Sequence, residues 1–348
     1  MRSYRLKDFE QPLETVDEDT PTPEGTQVLL RVKAAGVCHS DIHIWEGSYD
    51  LGGGRKMAMR GIPLPLTMGH ETVGEVIAAG PEAEGVKAGD VRVVFPWIGC
   101  GKCALCQAGD EHLCNRPRAL GVVCDGGYAD HIVVPHPRYL LAIDGVDPAV
   151  AAPYACSGLT TFSALKKLEH VFKDEPIMII GAGGLGLMAL TLLKALGGKG
   201  AVVVDIDAKK REAALAAGAL AAVDGAAPDA VKQATAAAGG GLRGVVDLVG
   251  NTQSTSLGFD ALGKGGKLVI VGLFGGAAAF ALPMFPIKAA TVQGSFVGSL
   301  SEFHQLMELV RAGAVPAVPL IRRPLAEVGQ TLEDLRGGRI VGRAVLTP

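Results

Sequence analysis

The sequence predicts a two-domain protein with α/β and β character, one domain β-rich and the other built on a doubly wound parallel sheet. Residues 158–294 alternate short Val/Ile-rich runs with Ala/Leu/Lys segments of helical spacing. That alternation is the signature of a parallel sheet covered by helices on both faces. Residues 1–157 instead carry short β-type runs separated by Gly/Pro turns, with few helical periods. The length of 348 residues suits two domains at roughly 150 residues each. Residues 295–348 turn mixed again and are expected to rejoin the first domain, which makes that domain discontinuous.

Taken in order, Gln27–Ala34, Thr72–Ala79, Val91–Phe95 and His131–Val134 read as strands of the first domain. Ile177–Ile180, Ala201–Asp205, Gly244–Val249 and Lys267–Gly272 read as buried strands of the second, with Lys209–Ala217 as a connecting helix. A helix at Leu300–Arg311 and a strand at Gly342–Leu346 close the chain.

Composition excludes several classes. With 48% hydrophobic residues and a net charge of −3, the chain can bury a core, and it lacks the basic surplus of a nucleic-acid binder or of a protein held to anionic membrane. The longest apolar stretch, Pro176–Leu193, is broken by four glycines and reads as strand–turn–helix rather than a membrane span. The N-terminus alternates charge without an apolar core, unlike a signal peptide. A soluble, cytoplasmic protein is expected. Glycine, 48 of 348 residues, is twice its ordinary ~7% share. Seven cysteines, four of them between 100 and 114, do not form the even count of a disulfide framework.

The glycines cluster where a dinucleotide would sit. Gly181-Ala-Gly183-Gly184-Leu185-Gly186 follows the Ile177–Ile180 strand and opens an apolar helix. In such a loop the first glycine permits the turn, the second lets a pyrophosphate approach the backbone, and the last allows close helix–strand packing. The helix N-terminus then favours the diphosphate charge. Asp205 ends the next strand, 19 residues beyond Gly186, where a carboxylate accepts from ribose hydroxyls and repels a 2′-phosphate, so NAD is favoured over NADP. Lys210 is a further ribose candidate. Asp207 competes with Asp205, with a helix cap as its plainer role. A glycine-lined turn without a ligand is the alternative.

Cys100, Cys103, Cys106 and Cys114 have C-x2-C-x2-C-x7-C spacing, which can close a thiolate tetrahedron around Zn²⁺ and leaves no open position. The site is therefore expected to be structural, with a disulfide pair or an iron–sulfur cluster as alternatives. A second set is dispersed: Cys38-His39-Ser40-Asp41 with His43, Gly69-His70-Glu71, and Cys156. Singly, each reads as a small core thiol or polar surface. Cys124 fits neither set and reads as a core thiol.

C-H-S-D, G-H-E, the four-cysteine lobe, the G-A-G-G-L-G loop and Arg343 occur in the same order as in the zinc-containing medium-chain alcohol dehydrogenases, which the chain resembles over essentially its whole length. The resemblance implies a GroES-like catalytic domain (1–157 and 295–348) carrying both zinc sites, and a Rossmann NAD-binding domain (158–294). It implies one structural zinc and one catalytic zinc per chain, the latter held by Cys38, His70 and Cys156, the two-Cys, one-His set of alcohol dehydrogenase. Glu71 would lie beside that metal and Asp41 would orient His70. The implied reaction is reversible hydride transfer between a primary or secondary alcohol and NAD, the proton leaving through Ser40, the cofactor ribose and His43. Ser40 as a helix cap and His43 as a surface residue are the plainer readings. His39 and Arg343 match pyrophosphate contacts, Thr160 a nicotinamide neighbour, and Trp45 and Trp97 the substrate pocket, although both tryptophans also suit ordinary packing. The partner is a small-molecule alcohol, aldehyde or ketone, and the assembly a homodimer or homotetramer, with Thr291–Val297 as a candidate contact edge.

The chain departs from the family at Gly47–Gly61, a longer segment carrying Arg55, Lys56 and Arg60. It reads as a solvated loop or as a lid that reshapes substrate choice. Two other functions compete: a polyol dehydrogenase on the same fold, which usually departs in the catalytic ligands, and a zinc–thiolate redox sensor without catalysis, which would need neither Ser40 nor His43.

Overall fold

The residue pattern of the second half resolves into six parallel strands. A computed structural model describes residues 1–59 and 61–348, and in it the chain divides into two compact units. The larger comprises Met1–Ser48, Ala58–Leu159 and Val297–Pro348; the other comprises Tyr49–Met57 and Thr160–Phe296.

In the second unit, Ile177–Ile180, Ala201–Asp205, Ala221–Asp224, Leu242–Asp247, Leu262–Ile270 and Thr291–Gly294 form the sheet. If these strands are counted in chain order, they lie 3-2-1-4-5-6, the order of the doubly wound dinucleotide folds. Their side chains explain the choice. Met178, Ile180, Val202, Val204, Val245 and Leu268 are all buried in one core with Phe259, as expected of strands covered on both faces. The switch in strand order falls between Ile177–Ile180 and Leu242–Asp247, and the glycine loop leaves the carboxyl end of the former.

The first unit is built on a mixed sheet. Its long central strand, Val28–Val37, pairs antiparallel with Glu71–Ala79 on one side and Arg343–Thr347 on the other. The C-terminal strand therefore does return to the first unit. Val28–Val37 also pairs with His131–Val134. A three-stranded sheet runs Glu14–Asp17, Arg2–Leu6, Leu66–Thr67.

Two features differ from the sequence expectation. The helix His39–Glu46 sits inside the β-rich region; its buried apolar residues, Ile42 and Ile44, alternate as a strand would and mask the helical period. The segment after it forms a hairpin of Ser48–Asp50 and Lys56–Ala58, and its Tyr49–Met57 core clusters with the second unit rather than the first. There the Gly276 N–H donates to the Asp50 carbonyl at 3.2 Å. Arg60 lies outside the described residues.

Candidate functional site

The dispersed cysteines and histidine converge within the first unit. Cys38 is the N-cap of His39–Glu46, His70 and Glu71 stand at the start of the Glu71–Ala79 strand, and Cys156 ends a short 3-10 turn. One ligand atom from each of Cys38, His70, Glu71 and Cys156 lies within 4.8 Å of the others, and all four residues are buried. The two sulfurs are 4.0 Å apart, close to the ~3.75 Å separation of thiolates at tetrahedral Zn–S bond lengths.

The imidazole is aimed by its surroundings. His70 Nδ1 lies 3.0 Å from Asp41 Oδ1, leaving Nε2 buried and without a hydrogen-bond partner among the described residues. Asp41 is itself fully buried; its Oδ2 accepts from the Cys38 N–H at 2.9 Å and from the Tyr128 hydroxyl at 2.9 Å. Trp97 packs on the His70 ring with centroids 5.3 Å apart and donates from its indole to the Ala155 carbonyl at 3.0 Å. Two thiols, a carboxylate and an unpartnered imidazole nitrogen fit a Zn²⁺ ion, since an orphaned buried nitrogen is otherwise costly.

Electrostatics agree. Hydrogen bonding from Cys156 holds the Cys38 thiol well below its ordinary value against the opposing effect of burial, with help from His70 and Arg343. Burial works against a charged His70, but Asp41 and Cys38 outweigh it and hold the ring well above the usual histidine range. Burial pushes Glu71 up to about 7 despite the opposing Arg343.

Arg343 is 4% exposed in the Arg343–Thr347 strand and donates to Glu71 Oε2. Gly36 makes room for this pair, because a Cβ there would lie 2.0 Å from Glu71 Oε2. The other Glu71 oxygen accepts from the Ser157 N–H at 3.1 Å. The Trp45 indole N–H donates to the Gln11 carbonyl at 2.7 Å and its ring lies under Arg336, in a cleft whose lining includes none of Cys38, His70, Glu71 and Cys156.

The remaining predicted residues keep sensible neighbours. Ser40 Oγ is 3.8 Å from Cys38 Sγ, and His43 Nδ1 is 4.0 Å from Glu46 Oε2. His39 opens the same helix. Sequence reasoning missed Tyr128, whose ring is admitted by Gly69, since a Cβ there would lie 2.5 Å from Tyr128 Cδ1.

The four-cysteine lobe gathers as spaced. Cys103–Cys106 and Cys103–Cys114 sulfurs are 3.5 and 3.8 Å apart, and Cys100–Cys106 4.0 Å. Backbone N–H groups of Lys102 and Cys103 lower Cys100 to about 6, while burial and the neighbouring thiols push Cys106 up to about 12. The set thus holds a negative charge that a dication would neutralise. Buried Glu111 anchors the lobe: it accepts from Arg138 at 3.1 Å, from the Tyr139 hydroxyl at 2.8 Å and from the Gly99 N–H at 3.3 Å. Cys124 stands apart, half-buried, its thiol raised by burial.

In the second unit, Gly181 has φ +97°, and a Cβ on Gly186 would lie 2.0 Å from the Gly181 carbonyl oxygen, whereas one on Gly183 would meet open space. Those are the turn, the packing contact and the ligand approach that the motif requires. Gly184 and Leu185 form the first turn of the helix. Asp205 Oδ2 accepts from the Ala182 N–H at 2.7 Å, tying the acidic residue to the loop. Asp207 caps the next helix through the Lys209 and Lys210 N–H groups. The Thr160 hydroxyl is buried without a hydrogen-bond partner among the described residues.

Comparison with known proteins agrees with this geometry. Residues 24–144 match the alcohol dehydrogenase GroES-like domain, and residues 184–312 the zinc-binding dehydrogenase domain. The chain is 38% identical to an NAD-dependent alcohol dehydrogenase of Sulfurisphaera tokodaii and 37% identical to one of Saccharolobus solfataricus, each over 100% of both chains. It also superposes on the crystal structure of the alcohol dehydrogenase from Aeropyrum pernix with a TM-score of 0.89, 31% identity and full coverage of both chains.

Proposed function

The chain belongs to the zinc-containing medium-chain alcohol dehydrogenase family, and from that premise we propose which of its residues do the work. The protein is a zinc- and NAD-dependent oxidoreductase of the GroES-like plus Rossmann architecture, moving hydride reversibly between an alcohol and NAD to give an aldehyde or ketone. In our assignment Cys38, His70 and Cys156 hold the catalytic zinc, with Glu71 beside it, and Cys100, Cys103, Cys106 and Cys114 hold the structural one. The observation that carries the first assignment is the buried, unpartnered Nε2 of His70 standing among two thiol sulfurs and a carboxylate.

Zinc supplies a Lewis acid that lowers an alcohol's proton affinity, and NAD supplies the hydride acceptor. The chain's own residues set the stage. Asp41 fixes the His70 tautomer, so that Nε2 faces the cluster. Trp97 covers the imidazole and keeps water from it. Ser40 receives the substrate proton, and His43 passes it on; burial holds His43 below the usual histidine range, with Glu46 opposing, so the ring is ready to accept near neutrality. Gly181, Gly183, Gly184, Leu185 and Gly186 bind the diphosphate with His39, and Asp205, assisted by Lys210, binds the ribose and selects NAD. We assign Thr160, whose buried hydroxyl has no hydrogen-bond partner among the described residues, to the nicotinamide.

No helix among the described residues is long and apolar enough to cross a membrane; a cytoplasmic location is part of the proposal. The edge strand Thr291–Gly294 is the proposed contact of a homodimer or homotetramer. The decisive variant is Ser40→Ala. It should keep both zincs and lose most alcohol-driven NAD reduction; unchanged turnover removes Ser40 from the proton path.

A further inference from the structure

We propose that Glu46 and Arg336 govern the proton path outside His43, with Glu46 as the positioning residue that sets how readily the imidazole takes a proton and Arg336 tempering it. The inference rests on the reading of His43 as the last proton carrier. His43 and Glu46 stand three residues apart on the His39–Glu46 helix, on one face. His43 Nδ1 is 4.0 Å from Glu46 Oε2, with side chains 15% and 30% exposed. Glu46 Oε1 lies 3.6 Å from Arg336 Nε. The chain of charge thus runs outward from a half-buried base to a solvent-facing pair.

Arg336 is not a loose surface residue. It ends the Val328–Arg336 helix, which packs against His39–Glu46, and its guanidinium lies 5.1 Å over the Trp45 ring. Trp45 in turn is pinned by its bond to the Gln11 carbonyl. Trp45 and Arg336 line a cleft of about 380 Å³ with Ile42, Leu332, Glu10 and Glu333. The charged groups that act on His43 are Glu46 on its own helix and Cys38 at that helix's N-cap; Arg336 and Glu333 on the helix packed against it, and Glu10 on the N-terminal segment, line the neighbouring cleft. Glu10 and Glu333 face the cleft on the Trp45 side. Glu46 combines reach to the imidazole with reach to Arg336.

A full charge 4 Å away in a water-like medium moves a pKa by roughly 0.7 of a pH unit. The two partners must act with opposite sign. Removing the negative charge in Glu46→Gln makes His43 harder to protonate, and the acid limb of alcohol oxidation moves to lower pH. Removing the positive charge in Arg336→Gln leaves Glu46 less compensated, and the limb moves to higher pH.

The experiment is direct. The His43 imidazole is titrated by NMR in the holoenzyme, alongside kcat against pH for alcohol oxidation, in the parent, Glu46→Gln, Arg336→Gln and Arg336→Lys. We expect a downward shift of about half a pH unit for Glu46→Gln, an upward shift for Arg336→Gln, and recovery in Arg336→Lys. A His43 midpoint unmoved in Glu46→Gln, with only thermal stability changed, overturns the proposal and leaves a structural ion pair. His43→Gln separates the two readings. If its turnover equals the parent's, the proton-path reading fails whatever the NMR shows; if turnover falls and the limb shifts vanish with His43, both stand.

Discussion

Asp41 is the side chain on which the metal cluster is built. Its carboxylate is fully buried and meets three donors from three places in the chain: the His70 ring, the Cys38 backbone and the Tyr128 hydroxyl. The Asp41→Asn variant puts an amide where one of those donors needs an acceptor. Loss of such a second contact typically costs 10–100-fold in metal affinity. Under competition with a chelator, the variant should fall towards one zinc per chain while the parent keeps two, because the four-cysteine lobe does not touch Asp41. Equal zinc retention would show that Cys38, His70 and Cys156 need no such orientation. The C-H-S-D spacing made Asp41 legible in the sequence. Tyr128 was not, since a lone tyrosine after two glycines has no periodicity or charge pattern to mark it. Arg343 was legible as a functional residue but not in its partner, because the space that lets it reach Glu71 is created by Gly36 on the intervening strand.

Single elements were read best where burial is regular. Leu300–Arg311 buries Phe303, Leu306, Met307 and Val310 on one helical stripe, and its period is plain in the sequence. The His39–Glu46 helix is polar and carries functional groups on most of its surface, so chemistry rather than amphipathicity dictates its residues. The Val328–Arg336 helix that braces it carries a testable ion network. Asp334 lies 2.6 Å from Arg323 and 2.9 Å from Arg339. Hydrogen bonds from Arg323, Arg339 and Gln330 hold its carboxyl at about 2, below the ~3.9 expected in an unfolded chain. A carboxylate so lowered contributes stability that is full above its unfolded pKa and is lost as pH falls through the folded one. Asp334→Asn should therefore unfold at lower urea concentration than the parent at pH 6, with the gap closing between about pH 4 and pH 2. A gap that persists unchanged into that acid range would mean that the network acts through shape rather than charge.

At the scale of the whole molecule, strand–helix alternation and ordered motifs conveyed the two-part architecture, because a parallel sheet forces a repeating sequence pattern that local context cannot disguise. The Gly47–Gly61 segment resisted the same reading. Its assignment depends on backbone contacts such as that between Asp50 and Gly276, for which side-chain patterns carry no code. The central claim is narrower than the fold: hydride transfer depends on the zinc held by Cys38, His70 and Cys156. It is tested most directly by following deuterium from a C1-deuterated alcohol to NAD in the parent and in His70→Ala, with zinc counted in each. The account predicts two zincs and deuterated NADH for the parent, and one zinc with no transfer for His70→Ala. Transfer at the parental rate by a His70→Ala protein holding a single zinc would contradict it.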